Sequence, residues 1–251
     1  MCTITLLRRP NDPWPLLLAA NRDELMERPW LPPARHWLDR EDITAGQDQL
    51  AGGTWLAMND RGMVAGVLNR AGSLGPAENK RTRGELPLEA LDHESAEASM
   101  QALKHLDPRA YRPFNLVVAD AASAYWLAAR EGEDTIHVEV IGEGLSMLTA
   151  HDLNDTQESS RIRHYRPKFQ AADVPNPESG DWSAWQSLLS SRETAVDSGP
   201  EGAMNIQIDG KFGTCSSSLI ALARPQNPPC PPVWRFCHGA PDTDRWTDIA
   251  F

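Results

Sequence analysis

The order in which strand-like and helix-like patterns follow one another constrains the fold of this chain more than any other feature. Three regions of short β-type segments, separated by turns rich in Gly, Pro and Asn, alternate with two regions of helical period. Neighbouring strand segments are joined by short turns instead of helices, which predicts antiparallel pairing. The sequence therefore predicts an α+β protein, and a four-layer αββα sandwich of two antiparallel sheets flanked by helices satisfies the order.

The predicted elements cover most of the chain, and no repeat or long polar linker divides it, so we predict one domain over residues 1–251. Residues 25–40, with three prolines and no regular period, are predicted to be a long ordered loop. Residues 85–106 and 156–192 are predicted helical, the second with a break at 175–180 and with an apolar stripe predicted to be core: Trp182, Trp185, Leu188 and Leu189. The predicted strands are 2–8, 16–21, 54–58, 63–69, 114–120, 124–130, 135–141, 144–150, 204–208, 214–223 and 233–238, with those from 114 to 150 pairing consecutively.

Charge and cysteine content exclude several classes of function. The formal net charge of −11 repels phosphate backbones and anionic lipids, so we expect no nucleic-acid partner. The apolar run at 16–20 is too short to span a bilayer, and without a signal peptide we expect a cytoplasmic protein with no stable membrane insertion. Its four cysteines contain no Cys-x-x-Cys pair, which favours free thiols and no metal site.

A thiol at position 2 is the strongest candidate for chemistry. Removal of Met1 would leave Cys2 with both its thiol and a free α-amine. Such an amine titrates near ~7.7–8.0 and a thiol near ~8.5, so the amine can accept the proton of its own side chain. Nucleophile and base then share one residue, a known form of activated nucleophile.

The run Asn21-Arg22-Asp23-Glu24 follows an apolar strand and can supply the other groups of an acyl-transfer site. Period-two geometry places Asn21 and Asp23 on one side of the strand and Arg22 on the other. Asp23 can orient the α-ammonium, and Arg22 can lower the thiol pKa or bind an anionic part of a substrate. Asn21 or Asn69 can donate to an oxyanion. The alternative interpretation is a Cys2 that is a small hydrophobe in an edge strand and a polar strand end with surface ion pairs.

Three further residues are candidates for substrate binding. Trp30 and Trp37 lie in the predicted loop and can line an apolar pocket, and His151 has acidic neighbours that suit a general acid or a ligand. Tryptophans packed in a core and a histidine bonded within a turn are the alternative interpretation. The Gly-Gly-Thr-Trp stretch at 52–55 lacks the context of a phosphate-binding loop and indicates close backbone packing.

Four ordered motifs resemble the NRDE-motif proteins, also called the transport and Golgi organisation family. They are MCT at 1–3, AANRDE at 19–24, AGGTWLAMNDRGMVAGVLNR at 51–70 and FGTCSSSLIAL at 212–222. That family is similar to the cysteine-type N-terminal nucleophile hydrolases, such as choloylglycine hydrolases and penicillin V acylases, which have the αββα fold. In those acylases an arginine precedes the asparagine of an Arg-Asn-x-Asp pattern, a place that Ala20 occupies here.

The resemblance implies Cys2 as nucleophile, Asp23 as the carboxylate near the α-amine and Asn69 as an oxyanion donor. It implies an amidohydrolase that cleaves a non-peptide or cyclic C–N amide bond of a small molecule through an acyl-enzyme, with no cofactor. It leaves open a non-catalytic protein that binds or traffics haem or an acyl or lipid ligand, as relatives are linked with membrane traffic and haem handling. Cys2 or His36 would then be the axial ligand of haem.

Overall fold

The computed structural model describes residues 2–196, 198–226 and 230–251. Met1 and residues 227–229, which belong to the proline-rich loop predicted before the last strand, lie outside the described residues. The chain forms two compact units, one with residues up to Arg28 and Glu143–Ala250, the other with Pro29–Gly142 and Phe251. The prediction of one domain over residues 1–251 stays a prediction.

Fourteen strands and four α-helices make up the regular structure of the described residues. The strands are β1 (Thr3–Arg8), β2 (Leu16–Leu25), β3 (Trp30–Ala34), β4 (Ile43–Asp48), β5 (Leu56–Asn59), β6 (Val64–Asn69), β7 (Phe114–Ala119), β8 (Ala124–Ala129), β9 (His137–Val140), β10 (Gly144–Leu148), β11 (Gln207–Ile208), β12 (Phe212–Leu222), β13 (Val233–Cys237) and β14 (Trp246–Asp248). The helices are α1 (Leu86–Leu91), α2 (Ala96–Leu103), α3 (Ser160–Ala171) and α4 (Ser183–Leu189).

The first unit is an antiparallel sheet with two helices on one face. Its strand order is β10-β1-β2-β12-β13-β14, and β11 pairs with β12. Apolar side chains of α3 and α4 pack on alternate residues of the central strands, among them Leu17, Ala19 and Leu219. The predicted tryptophan stripe is confirmed as core, since Trp182 and Trp185 are each 1% exposed.

Strand β2 continues through the polar run, although the sequence predicted that it would end at Asn21. It reaches Leu25 and pairs with β12 along its whole length, from Leu16 to Leu25. Asn21, Arg22 and Asp23 are therefore buried inside a strand, where distant parts of the chain supply their polar partners. A second correction concerns β10, which pairs with β1 of this sheet instead of the preceding strand β9.

The second unit is a seven-stranded antiparallel meander, β3-β4-β5-β6-β7-β8-β9, with α1 and α2 packed on one face. The predicted β5–β6 hairpin is confirmed, and Gly62 in its turn has a φ of 77°. The region 85–106 holds two helices, because Ser95 caps a new helix by accepting a hydrogen bond from the Ala98 N–H. The predicted loop 25–40 contains the strand β3, whose prolines are tolerated because it lies at a sheet edge.

The predicted fold class is confirmed, since the chain is α+β and consists of two antiparallel sheets, each with two helices packed on it. Gly53 confirms the predicted close backbone packing, because a Cβ there would lie 2.3 Å from the carbonyl carbon of Gly84. Among the helices of the described residues, none is long and apolar enough to cross a membrane.

Candidate active site

The candidate site is built around β2, which lies between β1 and β12 in the first unit. Thr3 pairs with Asn21 on one side of β2, and Thr214 pairs with Asp23 on the other. Asn21 and Asp23 follow Leu17 and Ala19 in the alternation, so their side chains face α3 and α4. The Arg22 side chain faces the opposite way, as the period-two pattern predicted.

The side of β2 that carries Arg22 brings together two thiols and a guanidinium. The half-buried Cys2 thiol lies 3.6 Å from the Asp23 carbonyl oxygen and is placed to donate to it. Across β2, the Arg22 Nη1 donates to the Cys215 sulfur at 3.2 Å, and the Cys215 thiol donates to the Arg22 carbonyl at 3.4 Å. The Arg22 Nη2 is also 3.9 Å from a carboxylate oxygen of Glu24.

A β-bulge explains how Cys215 reaches Arg22. The register of β12 against β2 shifts between Thr214 and Ser216, so Cys215 is the extra residue of the bulge. A bulge re-aims the side chain that it inserts and is common beside active sites. Here it leaves Thr214 on the Asp23 side of the sheet and lets Cys215 contact Arg22 on the other.

Burial is the main influence on the pKa of both thiols. Burial raises the pKa of the Cys2 thiol, and the Asp23 carboxylate raises it further, whereas the Arg22 guanidinium lowers it. Burial likewise raises the pKa of Cys215 to about 11, against the lowering effect of Arg22. Cys215 is therefore a neutral thiol at neutral pH.

A buried network of hydrogen bonds fixes the Asp23 carboxylate on the helix-facing side. Its Oδ1 accepts the Thr214 hydroxyl at 2.7 Å, and its Oδ2 accepts Nη1 of Arg161 from α3 at 3.0 Å. The same Arg161 Nη1 donates to the Thr3 hydroxyl at 2.7 Å, and Nη2 donates to the Glu201 carbonyl at 2.7 Å. The side chains of Asp23 and Arg161 are 0% and 1% exposed, so this is a fully buried ion pair.

Asn21 is bound into the fold through its whole amide group. Its Nδ2 donates to the carbonyl oxygens of Leu189 and Met204 at 3.0 and 2.9 Å. Its Oδ1 accepts the Ser217 hydroxyl at 2.6 Å. Both donor hydrogens of Asn21 are thus used within the fold, so its amide has none to offer an oxyanion.

The remaining predicted residues are spread over the two units. Asn69 is half-buried at the end of β6, opposite Phe114 of β7, in the second unit. Trp30 and Trp37 are in that unit as well. Trp30 packs edge-on against Trp55, with 5.5 Å between the ring centroids, and the Trp37 indole N–H donates to the Gly52 carbonyl at 3.3 Å. His151 is in the first unit, half-buried in the turn after β10.

Three residues of the site were missed in the sequence. Arg161 lies in a region whose helical period identifies only the apolar residues of the buried face. Thr214 and Cys215 lie in a strand with a β-bulge, which no sequence pattern predicted. One signal was present for Arg161. A cation in the first turn of a helix opposes the helix dipole, so it indicates a specific anionic partner.

Among the described residues, no group of three or more His, Cys, Asp and Glu side chains is arranged to hold a metal ion. For haem, the two candidate axial ligands lie in different units. The Nε2 of His36 is 2.8 Å from the Pro32 carbonyl oxygen, so Nδ1 is the ring nitrogen that iron could bind without breaking this contact. The Cys2 sulfur is half-buried, and burial raises its pKa, which disfavours the thiolate form that haem iron would bind.

Solved structures of amide hydrolases share this fold. A Caenorhabditis elegans N-acylethanolamine-hydrolyzing acid amidase ortholog matches with a TM-score of 0.56 and 12% identity, over 87% of this chain and 92% of that chain. Penicillin V acylase from Agrobacterium tumefaciens matches with a TM-score of 0.56 and 12% identity, over 99% and 86%. The chain therefore has the N-terminal nucleophile hydrolase fold, and at such low identity the likeness shows the fold alone.

Residues 1–227 match the model of the Transport and Golgi organisation 2 family, so the chain belongs to this family. The bovine Transport and Golgi organization protein 2 homolog is 35% identical over 113 residues, and the human homolog is 35% identical over 114. Each alignment covers 43% of this chain and 40% of the relative. The matched part is thus less than half the length of the curated relatives.

Proposed function

We propose that this protein is a cysteine amidohydrolase that cleaves a non-peptide or cyclic C–N amide bond of a small molecule through an acyl-enzyme on Cys2. The observation that carries the proposal is the place of Cys2. It precedes the first strand of an N-terminal nucleophile hydrolase fold, with its thiol 3.6 Å from the Asp23 carbonyl and in the field of Arg22. The proposed activity requires removal of Met1, which frees the α-amine of Cys2.

In the proposed reaction the α-amine of Cys2 takes the thiol proton, and the sulfur attacks the amide carbonyl carbon. A C–S bond forms, and the carbonyl electron pair moves to oxygen, where Asn69 is the proposed donor. The C–N bond then breaks as the α-ammonium returns its proton to the leaving amine. Water adds to the thioester with the α-amine as base, and the carboxylic acid leaves while the thiol is restored.

The charged neighbours of Cys2 have separate roles in this proposal. Arg22 favours the thiolate, since its guanidinium lowers a thiol pKa that burial raises. Asp23 provides a fixed negative charge held by Thr214 and Arg161. Trp30, Trp37 and His151 are proposed substrate contacts.

The first test follows the mass of the protein and its reaction with an electrophilic amide probe. Intact-mass measurement of protein from its native host should show loss of Met1. The probe should add one acyl group to the wild type and to Cys215→Ser, and none to Cys2→Ala. The Cys215→Ser variant is the matched control, because it removes the other thiol next to Arg22 and leaves the proposed nucleophile. Equal labelling of the wild type and Cys2→Ala would contradict the proposal.

A second candidate function is binding or trafficking of haem or an acyl or lipid ligand without catalysis. The observation that favours it is the burial of Cys2, which raises the thiol pKa and so disfavours the nucleophilic thiolate. The names of the curated relatives, which speak of transport, agree with it. A haem titration should then show a Soret shift that Cys2→Ala or His36→Ala abolishes, and a spectrum that neither substitution changes would exclude these ligands.

A further inference from the structure

Arg161 occupies a position that its own helix does not favour. It is the second residue of α3, where the Ser159 hydroxyl caps the helix by accepting the Ile162 N–H. A cation there opposes the partial positive charge of the helix N-terminus, and its burial adds a cost of desolvation. The compensation is the contact with Asp23 at 3.0 Å, reinforced by the hydrogen bond to Thr3.

These contacts connect α3 to the nucleophile through two different strands. Thr3 is the chain neighbour of Cys2, and Asp23 is the residue whose carbonyl oxygen faces the Cys2 sulfur. A single guanidinium nitrogen of Arg161 donates to both the Thr3 hydroxyl and the Asp23 carboxylate. Arg161 of α3 therefore holds Thr3, the neighbour of Cys2, in a defined position relative to Asp23.

The charges around Cys2 show what this contact does to the chemistry. From β2 come Asp23, Arg22 and the more distant Glu24, from β12 the neutral thiol Cys215, and from α3 Arg161. The proposed function assigns the Asp23 carboxylate a place near the α-amine, where an unpaired carboxylate would stabilise the ammonium form and remove the base that the thiol needs. The guanidinium of Arg161 offsets the negative charge of the Asp23 carboxylate and holds that carboxylate in position.

We propose that Arg161 is a positioning residue for the nucleophile, which neutralises Asp23 and anchors Thr3 so that the α-amine of Cys2 remains uncharged and able to take the thiol proton. This inference rests on the proposed function, because it assigns Arg161 a part in activating the same cysteine.

The test is the pH dependence of Cys2 alkylation by iodoacetamide in the full chain after Met1 removal, followed by peptide mass spectrometry between pH 5.5 and 10. The thiol and amine titrate together, so the profile gives an apparent pKa of the pair. Loss of the cation in Arg161→Gln should raise this apparent pKa by about one unit and slow alkylation at pH 7 about tenfold. Arg161→Lys, which keeps the charge, should restore most of the rate.

The decisive comparison also uses Asp23→Asn, alone and combined with Arg161→Gln. Asp23→Asn alone should lower the apparent pKa, because it leaves the cation of Arg161 unopposed. The double variant, which removes both charges, should return close to the wild-type value. It avoids a buried unpaired charge, so it tests the proposal even where Arg161→Gln does not fold.

Two results would overturn the inference. One is a folded Arg161→Gln variant, checked by circular dichroism, with an unchanged profile. The other is a double variant whose profile equals that of Asp23→Asn, since Arg161 would then have no effect on Cys2. Failure of the proposed function looks different: the amide probe would leave no acyl group on Cys2 while the charge series still shifted the alkylation profile.

Discussion

Replacing Asn21 by alanine should destabilise the fold without touching the reactivity of Cys2. The sequence suggests Asn21 as an oxyanion donor, but its amide binds the Leu189 and Met204 carbonyls and accepts the Ser217 hydroxyl. The Asn21 side chain is buried, with 1% of the residue exposed. In Asn21→Ala these partners are left without hydrogen bonds, because bringing water into the buried site to replace the amide would be costly.

The magnitude follows from the number of partners. Each buried group left without its hydrogen bond costs about 1–3 kcal/mol, so even at the lower figure two carbonyls and a hydroxyl predict a loss of about 3 kcal/mol or more in the free energy of unfolding. Ser217→Ala, which removes only the hydroxyl partner, should cost about 1 kcal/mol.

Urea denaturation followed by tryptophan fluorescence measures this loss, and Asn69→Ala is the matched control. Asn69 is half-buried at a strand end, so its removal should change the free energy of unfolding by less than about 1 kcal/mol. The alkylation profile of Cys2 should be the same in Asn21→Ala as in the wild type. A loss below 1 kcal/mol in Asn21→Ala, or a shifted alkylation profile in folded protein, would refute the reasoning.

Three further predictions concern stability. Burial raises the pKa of Cys215 to about 11 and of Cys237 to about 12, so each thiol contributes stability that is complete below pH ~8.5 and falls at higher pH. Between pH 8.5 and 10.5 urea denaturation should show a decline of about 1.4 kcal/mol per pH unit per thiol, and Cys237→Ser should show a shallower slope. Trp185→Ala should cost about 3–5 kcal/mol by thermal or urea unfolding, because it empties a site in the core of the first unit. Gly53→Ala should cost about 1–3 kcal/mol, because the new methyl group would meet the Gly84 backbone; an unchanged unfolding midpoint would contradict this contact.

The sequence predicts the local elements well because the period of apolar residues sets which face of a strand or helix is buried. The core stripe of Trp182 and Trp185 follows from that period, and so does the opposite orientation of Arg22 and Asp23. The turn at Gly62 follows from the positive φ that glycine tolerates. The pairing of β10 with β1 does not, because a short turn before β10 is compatible with either sheet.

The polar run of β2 shows why the site itself is harder to predict. A strand that reaches four polar residues is expected to end, since unpaired buried polar groups are costly. It continues here because Asp23 finds Thr214 and Arg161, which are 191 and 138 residues away along the chain. No local pattern contains those partners.

Strand β2 separates two influences that act on one cysteine. Arg22 projects to the side of the sheet where it contacts Cys215 and lowers the pKa of the Cys2 thiol. Asp23, the next residue, projects to the helix side, where Arg161 neutralises its charge. Because successive residues of a strand point to opposite faces, the guanidinium on the thiol side does not pair with the carboxylate on the helix side. The order Asn-Arg-Asp therefore places Arg22 on the side of the thiols, while Asp23 pairs with Arg161 on the helix side. An Arg and an Asp on the same face of the strand would pair with each other instead.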